Sequence, residues 1–187
     1  LVNDERALLE CIEGRPPVPR RLAPDVDGLF AFADRDVRSL DRRPMVPNPT
    51  AVESLETLVN VAAIVANGPA WFRTMGTPVS PGTLLCTITG DVSRHAVVEA
   101  ELGTRLYDVI EEGGHGFLPT SPPKAVLSGV SSAVLTRSRL AAPLSWEGLS
   151  AVGATVGRAA FKVFGEPTAM IDVAHQVAAF LSLSSCG

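Results

Sequence analysis

The chain has 187 residues, of which 46% are hydrophobic and only 19% charged, a composition typical of a globular protein and not of a disordered one. Its formal net charge of −4 at pH 7 argues against a nucleic-acid partner, which would need a basic surface. The most apolar stretch, residues 55–65, is shorter than the roughly 20 residues of a transmembrane helix, so no direct membrane insertion is predicted.

The cysteines also limit the class of protein. Cys11, Cys86 and Cys186 are odd in number and far apart, and no Cys-x-x-Cys pair is present. This spacing does not indicate a disulfide framework, and it predicts a reducing compartment such as the cytoplasm. Spacing alone indicates no metal site.

The first predicted element is a helix over residues 4–13, because its apolar residues recur at helical spacing and Gly14 follows as a stop signal. A long segment rich in proline, arginine and aspartate follows, over residues 15–48. Compact domains rarely contain so long a loop without a purpose. The charged part of this segment is open to three interpretations: a lid, a partner contact or a surface loop.

A second helix is predicted to begin at Thr50. Thr50 and Glu53 have the spacing of a capping box, in which each side chain bonds a backbone amide of the first turn. Apolar residues then recur with the helical period up to Val65. The Asn-Gly-Pro sequence at residues 67–69 ends the helix.

From residue 83 the apolar period changes from that of a helix to that of a strand. Strands are predicted at residues 84–89, 96–102 and 124–127, and a short helix at residues 103–112. This order predicts an α+β fold, in which a compact sheet is crossed by one helix. A ubiquitin-like β-grasp module flanked by helical segments is one of several such arrangements.

Three further elements are predicted near the end of the chain. Ser145 can cap a short helix that runs to Val152, residues 159–164 form a strand, and residues 168–183 form an amphipathic helix. The turn at residues 128–132 is rich in small residues. Its backbone amides either hold an anion or form a plain turn.

Several segments resemble, in chain order, the motifs of one family. Residues 49–61 resemble P-T-x-x-N-N-V-E-T-L-x-N-V, and residues 185–187 look like the start of S-C-G-x-C-x-x-C. The family is the flavoprotein subunit that oxidises NADH in respiratory complex I, together with the diaphorase subunits of NAD-linked hydrogenases and formate dehydrogenases. The other matching segments are residues 5–14, 15–24, 67–78 and 81–92.

This resemblance implies an enzyme subunit that passes electrons from NADH through FMN to a 4Fe–4S cluster. It implies other subunits of an electron-transfer complex as partners. It also implies the end of an FMN domain at residues 1–75, a soluble-ligand-binding β-grasp domain at residues 82–143, and a linker, strand and helix leading to an iron–sulfur domain at residues 144–187. The family's glycine-rich cofactor loop is not among these residues, so the segment alone is expected to be inactive.

The resemblance also implies candidate site residues. Asp4 and Glu5 take the place of a glutamate pair near the flavin and nicotinamide, although Asn3 replaces the glycine before it. Glu53 and Ser54 take the place of two asparagines that bind FMN, and Cys186 takes the place of the first cluster ligand.

Each candidate has an ordinary structural alternative. Asp4 and Glu5 would stabilise a helix N-terminus through its macrodipole, and Glu53 would belong to the capping box. Cys186 would be a free cysteine. The negative charge of Glu53 also opposes an anionic phosphate.

Two further functions follow from these departures from the family pattern. The first is a diverged homologue that has lost FMN and acts as a scaffold or docking module in an electron-transfer complex. The second is a small-ligand-binding β-grasp protein.

Overall fold

The structure is a computed structural model that describes residues 4–21, 23–26, 28–29, 48–130 and 132–185. The chain forms two compact units, residues 1–58 with 180–187 and residues 59–179. The expectations for Asn3, for most of the charged insertion and for Cys186 concern residues that lie outside this description.

The first unit contains helix α1, Glu5–Ile12, which confirms the first predicted helix. Asp4 is its N-cap. The helix ends where the backbone N–H groups of Glu13 and Gly14 donate to the carbonyls of Leu9 and Cys11. Ala7 and Leu9 are fully buried, as the apolar face of the pattern predicts.

Helix α2, Leu55–Asn67, begins five residues later than the capping-box prediction. The prediction was wrong about the cap: Ser54 Oγ accepts the Thr57 N–H at 3.1 Å, and the Ser54 carbonyl accepts the Leu58 N–H at 3.1 Å. Ser54 is therefore the N-cap, because its side chain and carbonyl satisfy the first free donors of the helix. A short helix α3, Pro69–Phe72, follows directly after Gly68.

The second unit is built around a five-stranded mixed sheet with the strand order β2-β1-β5-β3-β4. Strand β1 pairs antiparallel with β2 and parallel with β5, while β3 pairs antiparallel with both β5 and β4. The elements are β1 Thr83–Gly90, β2 Ala96–Glu101, α4 Leu106–Gly113, β3 Pro123–Ser128, β4 Val134–Thr136, a 3-10 helix Arg137–Ala141, α5 Trp146–Ala151, β5 Ala160–Gly165 and α6 Met170–Ser184.

One face of the sheet carries the main hydrophobic core. Ile88, Val126 and Phe161 come from three different strands and pack in one cluster with Leu106 and Ile110 of α4. All five side chains are fully buried. Burial of such side chains contributes about 1.5–3 kcal/mol each, so this cluster is a large source of stability for the second unit.

The opposite face is partly covered by the start of α6. Val173 packs there with Leu127 of β3 and Phe164 of β5.

The β1–β5 contact depends on Gly90, which has φ +90°, and a Cβ at that position would lie 2.1 Å from the Val163 carbonyl oxygen. Only glycine tolerates both the positive φ and this close approach.

The predicted combination of helices with a compact sheet is confirmed as a mixed α/β fold. The sequence pattern did not predict β4, which is only three residues long. The pattern predicted a strand at residues 159–164, and the family resemblance placed it after the small sheet domain; in the structure β5 lies between β1 and β3 in the middle of the sheet. The sheet therefore extends to Gly165, past residue 143, where the small sheet domain was expected to end.

Helix α2 differs from the amphipathic prediction in another way. No residue of this helix is buried, and Leu55, Leu58, Val59 and Val65 are each more than half exposed. None of the helices in the described part of the chain combines the length and the apolar character needed to cross a membrane.

Candidate functional site

Two of the predicted site residues lie together in a shallow depression at the start of α1. Asp4 Oδ1 accepts hydrogen bonds from the backbone N–H groups of Arg6 and Ala7, both at 3.0 Å. Glu5 is exposed in the first turn of the helix. The depression has a volume of about 350 Å³ and is lined by Asp4, Glu5, Arg6, Ala23 and Pro24.

The wall of this depression is joined to the segment that precedes α2. The Thr50 N–H donates to the Pro24 carbonyl at 2.9 Å, and Thr50 Oγ1 accepts the Leu29 N–H at 2.9 Å. Gly28 permits this approach, because a Cβ there would lie 1.8 Å from the Asn48 carbonyl oxygen. The hydroxyl of Thr50 thus holds a loop contact and does not cap α2.

Glu53 and Ser54 do not line the depression, in contrast to Asp4 and Glu5. Ser54 caps α2, and its hydroxyl also lies 3.0 Å from the Thr57 hydroxyl. Glu53 is exposed just before the helix. The structure therefore places Asp4 and Glu5 together around one depression. Of the second predicted pair, Ser54 serves as a helix cap.

Sequence reasoning missed a cluster of charges built on α1. The Arg20 guanidinium forms ion pairs with Glu10 and Glu13 and donates to the Gly28 carbonyl, and its side chain is only 4% exposed. Arg15 Nε also lies 3.0 Å from Glu10. The signal in the sequence was two glutamates three residues apart, one turn of α1, followed by an arginine-rich segment.

The described cysteines do not form a cluster site. Cys86 is fully buried in the core, where its Sγ lies 3.7 Å from the Leu84 carbonyl oxygen, and Cys11 is exposed on α1. Across the ranges that the structure describes, no three His, Cys, Asp or Glu side chains are grouped so as to hold a metal ion. An iron–sulfur cluster needs several thiolates in one place, so these residues do not fit it without Cys186 and further cysteines.

The depression at α1 fits the hydroxyl and carboxamide groups of a flavin or nicotinamide cofactor better than its phosphate groups. Two of its lining residues, Asp4 and Glu5, carry carboxylates, and the Arg6 guanidinium lies 3.9 Å from Asp4. Carboxylates accept hydrogen bonds from hydroxyl and amide groups and repel phosphate. The two carboxylates thus match a ribityl or ribose hydroxyl or a carboxamide, and among the described lining residues Arg6 alone has the charge to attract a phosphate group.

The small-residue turn between β3 and β4 uses its donors within the protein. The Ser128 hydroxyl donates to the Thr155 carbonyl at 2.9 Å, and the Gly129 N–H donates to the Ala160 carbonyl at 3.1 Å. Neither group remains available for an anion, so the plain-turn interpretation fits these two residues. Ser131 lies outside the described part of the turn.

A carboxylate at the start of α5 was also missed by sequence reasoning. Glu147 accepts hydrogen bonds from the Ser80 hydroxyl at 2.6 Å and from the Thr77 hydroxyl at 2.5 Å. These bonds, chiefly the one from Ser80, lower the pKa of Glu147 from its ordinary value of 4.5 to about 2. The carboxylate holds the loop before β1 against α5.

These features define a mixed α/β protein that has a carboxylate-lined depression at a helix N-terminus. No family model matches the chain. Over its whole length it is 33% identical to an NADH-quinone oxidoreductase subunit of Rhizobium meliloti and covers 41% of that protein. It is 31% identical to the corresponding NADH-quinone oxidoreductase subunit of Mycobacterium tuberculosis H37Rv and covers 39% of it.

A solved structure gives the same relationship. The fold superposes on an NAD+-reducing [NiFe]-hydrogenase in the air-oxidized state with a TM-score of 0.79 and 33% sequence identity, over 99% of this chain and 29% of that one. The chain is therefore homologous, along its full length, to part of these oxidoreductase subunits and to part of a chain of that hydrogenase. The resemblance found in the sequence is confirmed, and the chain spans about two fifths of the length of the two oxidoreductase relatives.

Proposed function

We propose that this chain is part of a flavoprotein subunit that oxidises NADH and passes electrons through FMN to a 4Fe–4S cluster. The observation that carries the proposal is the match to a subunit of NADH-quinone oxidoreductase along the entire chain. The superposition on an NAD+-reducing hydrogenase supports it independently. The chain covers 41% of this relative, so the activity is proposed for a whole subunit of this kind and not for these residues alone.

The small sheet is proposed to be the soluble-ligand-binding β-grasp module of that subunit. The order β2-β1-β5-β3-β4, with β1 parallel to β5 and both outer pairs antiparallel, supports this assignment. We assign the module to residues 82–165 so that it includes β5. Residues 1–75 are then the end of the FMN domain, and α6 leads into the iron–sulfur domain.

In this proposal Asp4 and Glu5 form one wall of the flavin and nicotinamide site. Their carboxylates accept hydrogen bonds from hydroxyl or carboxamide groups, as the lining of the depression allows. The phosphate is bound by another part of the protein, because two carboxylates line this depression. When bound, FMN supplies hydride acceptance and release of single electrons.

Cys186 is proposed to be the first thiolate ligand of the cluster. The support is its position in the Ser185-Cys186-Gly187 sequence at the end of α6, which matches the first letters of the family motif. Thiolates are the ordinary ligands of such clusters. Neither Cys86, which is buried in the core, nor Cys11, which is exposed on α1, is assigned this role.

The proposed partners are other subunits of an electron-transfer complex, through which the protein is held at the periphery of a membrane on its cytoplasmic side. Exposed apolar side chains on α2 and α6 support a role in such an assembly, since apolar patches often mark contact surfaces. The largest exposed fractions are those of Val65, at 81%, and Leu183, at 88%.

A second candidate function is a homologue that has lost FMN and serves as a scaffold or docking module. The observation that favours it is the structural use of the candidate residues: Asp4 caps α1, Ser54 caps α2 and Glu53 is exposed. A residue that already satisfies backbone donors has less capacity to bind a cofactor.

The whole gene product that contains this chain distinguishes the two functions. We expect the purified protein to show flavin absorbance in a near-stoichiometric amount and to reduce ferricyanide with NADH. A colourless protein that fails to reduce this acceptor, even after incubation with FMN, would contradict the enzyme and favour the scaffold.

The cluster assignment is tested in the same protein. Cys186→Ala is expected to remove one electron paramagnetic resonance signal of a reduced cluster while bound flavin is retained. Cys11→Ala is the matched control, because this cysteine is exposed on α1 and its replacement should leave the spectrum unchanged. An unchanged spectrum in Cys186→Ala would contradict the assignment of Cys186 as a cluster ligand. It would not affect the assignment of the flavin.

A further inference from the structure

Strand β2 is an open edge of the sheet. It stands at one end of the strand order and pairs with β1 alone among the described strands. The other edge strand, β4, is half as long and continues at once into the 3-10 helix. The six residues of β2 are therefore the longer place where a further strand can be added.

A hydrogen bond at one end of the β1–β2 pair shows which amides of β2 face outward. The Leu102 N–H donates to the Gly82 carbonyl at 3.0 Å, so the backbone of Leu102 turns towards β1. Backbone direction alternates along an antiparallel strand. The amides of Val97, Glu99 and Glu101 therefore point away from β1, to the open edge.

The neighbouring strand gives the same result. The Thr87 N–H donates to the Ala159 carbonyl at 2.8 Å, on the β5 side of β1. Thr87 is directly opposite Val97 in the ladder, so these two residues do not bond each other. The Val97 side chain is 65% exposed, which leaves both its backbone and its side chain accessible.

A depression of about 350 Å³ lies beside this edge, between β2 and α4. Val98, Ala100 and Val109 give it an apolar part. Its other lining residues include three glutamates, and no lysine or arginine is among the described residues that line it. The acidic residues are Glu99, Glu101 and Glu112.

Hydrogen bonds hold two of these carboxylates in place. Glu101 accepts the Gly76 N–H at 2.9 Å, and Glu99 accepts the Thr83 hydroxyl at 2.6 Å. Each carboxylate has further lone pairs, because a pair of carboxylate oxygens accepts about four hydrogen bonds. The edge thus carries fixed negative charge on one face of β2 and an apolar depression on the other face.

We propose that β2 is a docking site for an extended segment of a partner protein in which basic and apolar residues alternate. The segment adds to the sheet as a sixth strand and bonds the outward amides of Val97, Glu99 and Glu101. Its apolar side chains, all on one side, enter the depression between β2 and α4. Its basic side chains lie on the opposite face beside Glu99 and Glu101, whose side chains alternate with those of Val98 and Ala100 along β2, and this pair selects a basic partner by charge complementarity.

The probe for this site is a fluorescently labelled synthetic peptide that alternates lysine and valine. We expect saturable binding to the chain by fluorescence anisotropy, weaker at higher salt, with the largest amide shifts in nuclear magnetic resonance spectra at Val97 and Glu99. The control peptide has glutamate in place of lysine and should not bind. Failure of the lysine peptide to bind, or amide shifts elsewhere in the chain, would overturn the proposal.

A substitution at the backbone tests strand addition itself. Val97→Pro removes an outward N–H, and an edge strand tolerates proline where its N–H faces solvent. The peptide should bind this variant at least roughly tenfold more weakly, which corresponds to the loss of one or two hydrogen bonds. The matched control is Val97→Thr, which keeps the N–H and the β-branched side chain and should bind as the unmodified chain does.

A second pair of variants tests the charges and remains decisive if Val97→Pro does not fold. Glu99→Gln combined with Glu101→Gln should weaken binding roughly tenfold, since exposed ion pairs contribute up to about 1 kcal/mol each. Glu111→Gln combined with Glu166→Gln changes the net charge equally, away from the depression, and should change binding less than about twofold. Equal losses in the two double variants would overturn the site, as would dimers of this chain through β2 that the peptide does not displace.

Discussion

Glu147 shows at the scale of one residue how a carboxylate makes the fold depend on pH. Its pKa is lowered to about 2 by hydrogen bonds from Ser80 and Thr77. Because the folded-state pKa lies below the ordinary value of 4.5, the stabilisation is complete above pH 4.5 and is lost as the pH falls towards 2. We expect Glu147→Gln to remove the part of the pH dependence of the unfolding free energy that lies in this interval.

The titration of Glu147 can be followed by carbon resonances of its side chain. Thr77→Val removes one of the two hydroxyl donors and should move the pKa of Glu147 part of the way back, while Ser80 still donates. A midpoint near 4.5 in the unmodified chain would show that the two hydroxyls do not bind the carboxylate.

Arg20 presents the opposite case, a cation whose side chain is buried between two carboxylates. Replacement by methionine keeps the length of the side chain but leaves Glu10 and Glu13 without their buried partner. Breaking a buried ion pair on one side typically costs about 3–5 kcal/mol. We expect a loss of this size in the free energy of unfolding, measured by urea denaturation with probes in α1.

Arg15→Met provides the comparison for Arg20→Met. Arg15 contacts the same two glutamates, but its side chain is 46% exposed. An exposed pair contributes less than about 1 kcal/mol, so this variant should lose much less stability. Similar losses in both variants would mean that burial does not set the strength of this cluster.

The candidate site shows how far single residues can be predicted from the sequence. The pairing of Asp4 with Glu5 around one depression follows from their position at a helix N-terminus, which the pattern of α1 predicts. The cap of α2 was not predictable, because Thr50 and Ser54 are both suitable cap residues. The contact that removes Thr50 from this role comes from Leu29, 21 residues away, and local sequence does not report it.

At the scale of elements, the start of α2 gives a direct test of the cap. Ser54→Ala should lower the free energy of unfolding by about 1 kcal/mol, because the Thr57 N–H loses its acceptor. Glu53→Ala should change it by less than about 0.5 kcal/mol, since an exposed surface position has little effect. Both variants are compared by urea denaturation of the full chain.

A larger effect of Glu53→Ala than of Ser54→Ala would restore the capping box. It would also show that Glu53 is held at the helix and not directed to a ligand. A larger loss of stability in Ser54→Ala would show that Glu53 does not stabilise the start of the helix. That result would favour a role of Glu53 in discriminating between ligands.

The strands were predicted where the sequence pattern is local and strong. The predicted strand at residues 84–89 differs from β1 by one residue at each end. The position of β5 was not predictable, because its neighbours β1 and β3 are about 35 to 75 residues earlier in the chain and alternation carries no information on pairing. Strand β4 was missed because three residues contain too little periodicity.

At the scale of the whole molecule, composition and pattern were sufficient for the class of fold but not for its units. The expected division at residue 143 is what the family resemblance implies. In the structure one compact unit runs from residue 59 to residue 179 and includes β5, a central strand of the sheet. Boundaries of this kind depend on long-range pairing, which the linear sequence does not display.

The central place of β5 has a consequence for biosynthesis. Strands β1 and β2 form one hairpin, β3 and β4 form another, and among the described strands β5 is the one that pairs with both hairpins. A ribosome therefore releases both hairpins before it has made the strand that connects them. Until residue 165 emerges, each hairpin exposes an unpaired inner edge, the kind of surface that chaperones protect in nascent chains.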